Sequence, residues 1–113
     1  MKAVQLASLE REYRRLRQRL ARIGYISQGS VLDRSKLKSP RSGYQWTRKV
    51  ARKTITVALS AQQFQALGAA VQNRKLLANT IQQMERISRK ILFATLPDTR
   101  RRKTLKSNVL GLN

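Results

Sequence analysis

The side chains best suited to specific chemistry lie in residues 43–60, which read GYQWTRKVARKTITVALS. Alternate residues are polar and of the types that contact base edges in a nucleic-acid groove: glutamine pairs with adenine, lysine reaches guanine and threonine touches the thymine methyl. Lys49, Arg52 and Lys53 are placed to contact backbone phosphates. The pattern indicates either a surface for nucleic acid or an ordinary solvated sheet face. The positions expected to contact bases are Gln45, Thr47, Lys49, Thr54 and Thr56.

A hairpin must position these residues. A turn at Ala51-Arg52 pairs Trp46 with Val57, so that one face of the ribbon is apolar and the other is polar. Ala-Arg lacks the asparagine or glycine that a tight two-residue turn favours, so a wider loop is an alternative. A two-stranded ribbon is marginal alone, so the helix that follows Ser60 is expected to cover the apolar face. That face holds Tyr44, Trp46, Arg48, Ile55, Val57 and Leu59.

Two helices are predicted to flank the ribbon. In residues 3–23 the apolar side chains recur in steps of three and four, which is a heptad seam. The seam either pairs two chains or packs on the long helix of its own chain, because fewer than three heptads make a marginal coiled coil. The candidate oligomerisation positions are Leu6, Leu9, Tyr13, Leu16, Leu20 and Ile23.

The second helix begins at Ser60, which forms a capping box with Gln63. It can continue to about Phe93, before Pro97 prevents continuation. A helix of that span would be about 50 Å long. It is therefore expected either to break near residues 73–74 or to project toward another chain.

Two basic segments complete the chain. Residues 27–43 contain glycine, serine and proline and are predicted to be a loop, whose cations can follow a phosphate backbone. Residues 97–113 are predicted to be a flexible basic tail, after a single domain over residues 1–96. The expected fold class is α+β and mostly helical. The candidate phosphate contacts of loop and tail are Arg34, Lys36, Lys38, Arg41, Arg100, Arg101, Arg102 and Lys103.

Charge and composition restrict the function further. The 113 residues include 25 Lys and Arg against 5 Asp and Glu, a formal charge of +20, which favours a polyanionic partner. The absence of Cys and His excludes disulfides and the usual zinc sites, and it removes the commonest general base. We therefore expect no enzyme activity, metal or cofactor. No apolar run is long enough to span a membrane, so a cytoplasmic location with nucleoid or ribonucleoprotein is expected.

The segment YQWTRKV at residues 44–50, the Lys53-Thr54 pair and the Leu59-Ser60 step carry a resemblance. Over residues 6–92 the chain resembles a family of small bacterial proteins of unknown function found near mobile elements and sometimes labelled transposase-like. The resemblance implies a heptad helix, a hairpin and a closing helix. Many members carry a Cys-rich knuckle that residues 33–42 lack, so no metal role is implied here. The strand-strand-helix order is also similar to arm-site DNA-binding domains of tyrosine integrases.

The sequence predicts two alternative functions, which belong to different classes of protein. The first is a non-enzymatic nucleic-acid-binding accessory protein of a mobile-element or nucleoprotein complex, acting as a homodimer or with a protein partner, with duplex DNA preferred over structured RNA. The second is a structural subunit of a larger ribonucleoprotein or effector complex, acting through protein contacts. A membrane-surface binder ranks below both. The apolar positions available to a protein partner are Leu67, Val71, Ile81, Met84 and Ile91.

Overall fold

The computed structural model describes residues 1–97 and 106–112. The chain has the predicted mostly helical α+β fold. It divides into two compact units, one formed by Met1–Arg22 with Ala78–Asn113 and the other by Ile23–Leu77. None of the described helices is long and apolar enough to cross a bilayer. The elements are α1 (Ala3–Arg22), β1 (Ser30–Asp33), a 3-10 turn (Arg34–Lys36), β2 (Tyr44–Val50), β3 (Lys53–Leu59), α2 (Ala61–Thr95) and α3 (Ser107–Leu110).

The sheet has three antiparallel strands in the order β1-β2-β3. The predicted hairpin register is confirmed, with Tyr44 opposite Leu59 and Trp46 opposite Val57. The predicted loop over residues 27–43 is wrong for Ser30–Asp33, because these residues pair with β2 and make the ribbon three-stranded. A short segment of this kind shows no clear periodicity, and the free backbone groups on the edge of β2 supply the bonds that make it a strand.

The hairpin turn contains only Ala51 and Arg52. Both residues have positive φ, 49° and 69°. Two consecutive left-handed residues are the mark of a type I′ turn, whose twist matches that of the flanking strands. The alternative of a wider loop is therefore not adopted. Each non-glycine residue in this region costs about 1–2 kcal/mol, which the pairing of the two strands must offset.

Relief of this strain should stabilise the protein. Ala51→Asn places a residue that tolerates the left-handed region at the first turn position, and we expect the free energy of unfolding to rise by about 1 kcal/mol. Urea unfolding followed by circular dichroism measures the change. The same substitution at Ala69, an exposed position of α2, should instead cost roughly 0.5 kcal/mol through helix propensity. An Ala51→Asn variant no more stable than Ala69→Asn would contradict the turn geometry.

Helix α2 is continuous over its 35 residues, so the predicted break near residues 73–74 does not occur. Its capping box is confirmed: the backbone N–H of Gln63 donates to Ser60 Oγ (3.1 Å), and the backbone N–H of Ser60 donates to Gln63 Oε1 (2.9 Å). At the position of the expected break, Asn73 Nδ2 donates to the carbonyl oxygen of Tyr25 (2.9 Å). Asn73 thus holds the segment between α1 and β1 without interrupting the helix.

In the unit Ile23–Leu77, one face of the sheet packs on α2. The ring of Tyr44 lies 4.4 Å from that of Phe64, centroid to centroid. Val31 Cγ2 lies 3.4 Å from the place that a Cβ on Gly68 would occupy. The predicted cover is incomplete, because Ile55 and Val57 remain 37% and 41% exposed. The apolar face therefore packs well near β1 and β2 and poorly along β3.

In the other unit, α1 packs on the C-terminal part of α2. Leu16 is 2% exposed and Ile87 is 5% exposed, and Tyr13 and Leu20 line a groove with α2 side chains. The seam thus packs within its own chain, the second of the two alternatives. A role in oligomerisation is not needed to explain this burial and stays a prediction for Leu6, Leu9, Tyr13, Leu16, Leu20 and Ile23.

Candidate nucleic-acid interface

The sheet gathers the predicted base-contacting residues on the face directed away from α2. Thr47 lies opposite Thr56 and Lys49 opposite Thr54, while Tyr44 and the alternate residues of β2 point toward α2. Strand β1 places Ser30 beside Thr47 on this same face. We call this surface the polar face. Its polar members are Ser30, Gln45, Thr47, Lys49, Thr54 and Thr56, and the same register places the apolar Leu32 and Ala58 on this face, both opposite Gln45.

Two side-chain contacts order the β1 side of the polar face. Ser30 Oγ and Thr47 Oγ1 lie 3.2 Å apart. Arg34 Nε donates to Gln45 Oε1 over 3.2 Å. Because a guanidinium has no acceptor, the amide oxygen of Gln45 is the atom that faces it. Bidentate pairing of Gln45 with adenine needs that oxygen as well as the amide nitrogen, so the contact favours a different role, in which Arg34 and Gln45 together present donors to an acceptor.

The backbone of Arg34 closes the basic loop. Its N–H donates to the carbonyl oxygen of Gly43 (3.0 Å), and its carbonyl oxygen accepts from the N–H groups of Leu37 and Arg41 (both 3.2 Å). Gly43 has φ +97°, a value that favours glycine. The predicted loop cations are therefore held on a compact, closed segment. Lys36, Lys38 and Arg41 are exposed on it, and Arg34 is half-buried.

The carboxylate of Asp33 starts this loop. It accepts from Ser35 Oγ (2.7 Å) and from the Ser35 backbone N–H (3.0 Å). These two hydrogen bonds lower the pKa of Asp33 below its usual value. Asp33 therefore stays ionised at neutral pH and serves the loop as a cap of the 3-10 turn.

The second group of cations, Lys49, Arg52 and Lys53, is exposed at the hairpin tip. The tip and the 34–41 loop lie at opposite ends of β2, a strand of seven residues and roughly 20 Å. The major groove of B-DNA is about 12 Å wide. A polar face set in the groove would therefore have cations beyond each side, where the phosphates of the two strands run.

Trp46 lies on the opposite side of the sheet. Its indole N–H donates to the carbonyl oxygen of Gln28 (3.0 Å), and Arg48 Cζ lies 5.4 Å from the ring centroid, within cation–π range. These contacts favour the packing role over stacking on unpaired bases. Arg48 Nε is buried and has no hydrogen-bond partner among the described residues.

Every predicted contact within the described residues falls in the unit Ile23–Leu77. Arg100, Arg101, Arg102 and Lys103 lie outside the described residues. The sequence did not reveal Ser30, because only its pairing with β2 brings it to the polar face. Nor did it reveal the Arg34–Gln45 contact, since the loop that joins the two residues had no predictable conformation.

No protein-family model, no curated protein and no solved structure matches this chain. The resemblance given by the YQWTRKV segment therefore stays an expectation.

Proposed function

We propose that this chain is a non-enzymatic nucleic-acid-binding protein that places the polar face of its sheet in the major groove of duplex DNA. The carrying observation is the polar face itself, ordered across three strands and flanked by exposed cations at both ends of β2. Cations at the two ends provide phosphate contacts that set position, and the side chains between them contact base edges.

Electrostatics supports a polyanionic ligand. The formal charge of +20 attracts a polyanion such as nucleic acid and repels a cationic partner. Each phosphate contact releases counterions and adds about 0.9 to the dependence of log affinity on log salt for B-DNA. The loop and tip cations together should therefore make binding steeply dependent on salt.

Groove shape favours duplex DNA over the alternatives. The B-form major groove admits a two-stranded β-ribbon such as the β2-β3 hairpin, whereas the A-form major groove of RNA is deep and narrow and does not. Single-strand binders stack bases on exposed aromatic rings. The two aromatic rings of the sheet are not available in this way, because Tyr44 packs on Phe64 and Trp46 is held by Gln28 on the side of the sheet away from the polar face. Structured RNA stays second, through loop and tail.

Removal of one tip cation tests the proposal. The slope of log affinity against log salt is negative. Lys49→Ala should make it less steep by about 1, because one phosphate contact is lost. Fluorescence anisotropy with a labelled duplex measures this slope. Lys75→Ala removes the same charge from an exposed position of α2 and should leave the slope unchanged. Equal effects of the two substitutions would show that the charge acts without a defined surface.

The second candidate function, a structural subunit bound through protein contacts, also has an observation in its favour. Leu92 in the last turn of α2 and Leu96 just after the helix are 50% and 63% exposed. Val71, one of the residues expected to meet a partner, is instead buried in its own unit, whereas Ile81 is 42% exposed.

A free chain that stays folded in solution favours nucleic-acid binding. An isolated chain that aggregates or is partly unfolded favours the subunit. Placement in a mobile-element complex is supported by the resemblance alone.

A further inference from the structure

The outer edge of β3 is long and bare. Within residues 1–97 and 106–112, β3 pairs with β2 and with no other strand. It has seven residues, of which all but Leu59 are exposed, whereas the opposite edge strand β1 has four and leads into the closed loop. Edge strands of this length present unpaired N–H and C=O groups that pair readily with another chain.

The turn determines which backbone groups point outward. In a two-residue hairpin the residues next to the turn, Val50 and Lys53, form a hydrogen-bonded pair. Hydrogen-bonded and non-hydrogen-bonded pairs alternate along an antiparallel ladder, so Ile55 and Val57 also bond to β2. The N–H and C=O groups of the intervening residues point to the free edge. These residues are Thr54, Thr56 and Ala58.

We propose that β3 pairs antiparallel with β3 of a second copy of this chain, with the two-fold axis at Thr56. In this register Thr54 of one copy faces Ala58 of the other, and the two Thr56 residues face each other. All of the outward groups are then satisfied, by about six backbone hydrogen bonds. The two three-stranded sheets become one six-stranded sheet.

The same register covers the poorly packed part of the apolar face. Ile55 of one copy lies beside Val57 of the other, and these are the two large apolar side chains of β3 that α2 leaves more than one-third exposed. Apolar and β-branched cross-strand neighbours stabilise a sheet. A shift by one residue would put residues of the polar face beside these side chains instead and would pair the wrong backbone groups.

The net charge of +20 does not prevent a second copy from pairing at this edge. Lys53 is the one cation of β3, and in the antiparallel pair the two Lys53 residues lie roughly 20 Å apart. That exceeds the Debye length of about 8 Å at physiological salt, so their repulsion is screened. Pairing through α1 would instead bring exposed arginines of both copies together, Arg11, Arg14 and Arg15 among them.

The pairing does not depend on nucleic-acid binding, although it would have a consequence for it. A two-fold axis normal to the sheet places both polar faces on the same side. A dimer would therefore present one continuous polar face, with a hairpin tip at each end.

Mass in solution tests the pairing. The wild-type chain is expected at twice 13.0 kDa by light scattering. Thr56→Pro removes the N–H at the two-fold axis, which points away from β2, so the hairpin keeps its own ladder and the mass should fall to that of one chain. Circular dichroism spectra that match wild type would show that the fold persists. A single-chain mass for the wild type, or a dimer that survives in a folded Thr56→Pro variant, would overturn the proposal.

Disulfide trapping gives a second test that does not require loss of the dimer. The chain has no cysteine, so a single introduced one reports on its own position. In Thr56→Cys the facing Cα atoms would be about 5.5 Å apart, within disulfide range. In Thr47→Cys, on the same face but one strand inward, they would be about 14 Å apart. Oxidation should link most of the first variant and little of the second. Equal linkage of both, or linkage of neither, would overturn the two-fold axis at Thr56.

Discussion

Replacement of Gly29 by alanine should unfold much of the unit Ile23–Leu77, with a loss of about 3–5 kcal/mol in the free energy of unfolding. Gly29 has φ +101°, a region that alanine enters only with strain. A Cβ there would lie 2.4 Å from Trp46 Nε1 and 2.5 Å from the carbonyl oxygen of Thr47. Both neighbours are fixed, one by its bond to Gln28 and the other by the sheet. Urea unfolding followed by tryptophan fluorescence measures the loss.

Gly68→Ala is the matched control. It adds the same methyl group in the same unit, but at 3.4 Å from Val31 Cγ2, an ordinary van der Waals contact. Gly68 lies within α2, where alanine is preferred to glycine by roughly 0.5–1 kcal/mol. The control should therefore be neutral or slightly stabilising. A Gly29→Ala variant as stable as Gly68→Ala would mean that the backbone at the start of β1 is not as described.

Trp46→Ala should cost about 3 kcal/mol, because it removes the largest side chain between the sheet and α2. It also leaves the carbonyl oxygen of Gln28 without its donor and Arg48 without the ring beneath it. Trp46→Phe separates the two effects, because it keeps an aromatic ring and loses only the hydrogen bond from the indole N–H to Gln28. It should lower the free energy of unfolding by about 1 kcal/mol. Thermal unfolding of both variants gives the comparison.

The same variants decide the role of the tryptophan ring. If it packs, Trp46→Phe retains DNA binding at temperatures where it is folded. If Trp46→Ala stays folded and loses binding, the ring contacts bases, and the assignment of the two faces of the sheet is wrong. In that case single-stranded nucleic acid would replace duplex DNA as the ligand.

Local rules were sufficient to predict the hairpin and the cap of α2. The alternation in residues 44–59 allowed one register that kept both faces consistent, and that register is observed. Ser60 and Gln63 are three residues apart, so their reciprocal hydrogen bonds depend on little else. The turn was harder to predict, since Ala51 and Arg52 adopt left-handed backbone without the residues that favour it.

Features that depend on distant contacts could not be predicted in the same way. Strand β1 forms because its backbone pairs with the edge of β2. Its four residues are too few to show the alternation of polar and apolar side chains that would predict a strand. The heptad spacing of α1 suits a second copy and α2 equally, and only the packed structure shows Leu16 buried within its own chain. The contact between Arg34 and Gln45, which disfavours pairing of Gln45 with adenine, depends on the conformation of the loop between β1 and β2, which the sequence does not predict.

The most direct test of the proposed function is the salt dependence of binding to matched duplex DNA, single-stranded DNA and structured RNA. Two double variants with equal charge loss should be compared with wild type: Lys49→Ala/Lys53→Ala at the hairpin tip, and Arg14→Ala/Arg15→Ala at exposed positions of α1. We predict that duplex DNA stays bound at the highest salt. The tip variant should make the negative slope of log affinity against log salt less steep by about 2, and the α1 variant should leave that slope unchanged. If all three ligands dissociate together and both variants behave alike, the charge attracts nucleic acid without a defined surface, and the proposed interface is wrong.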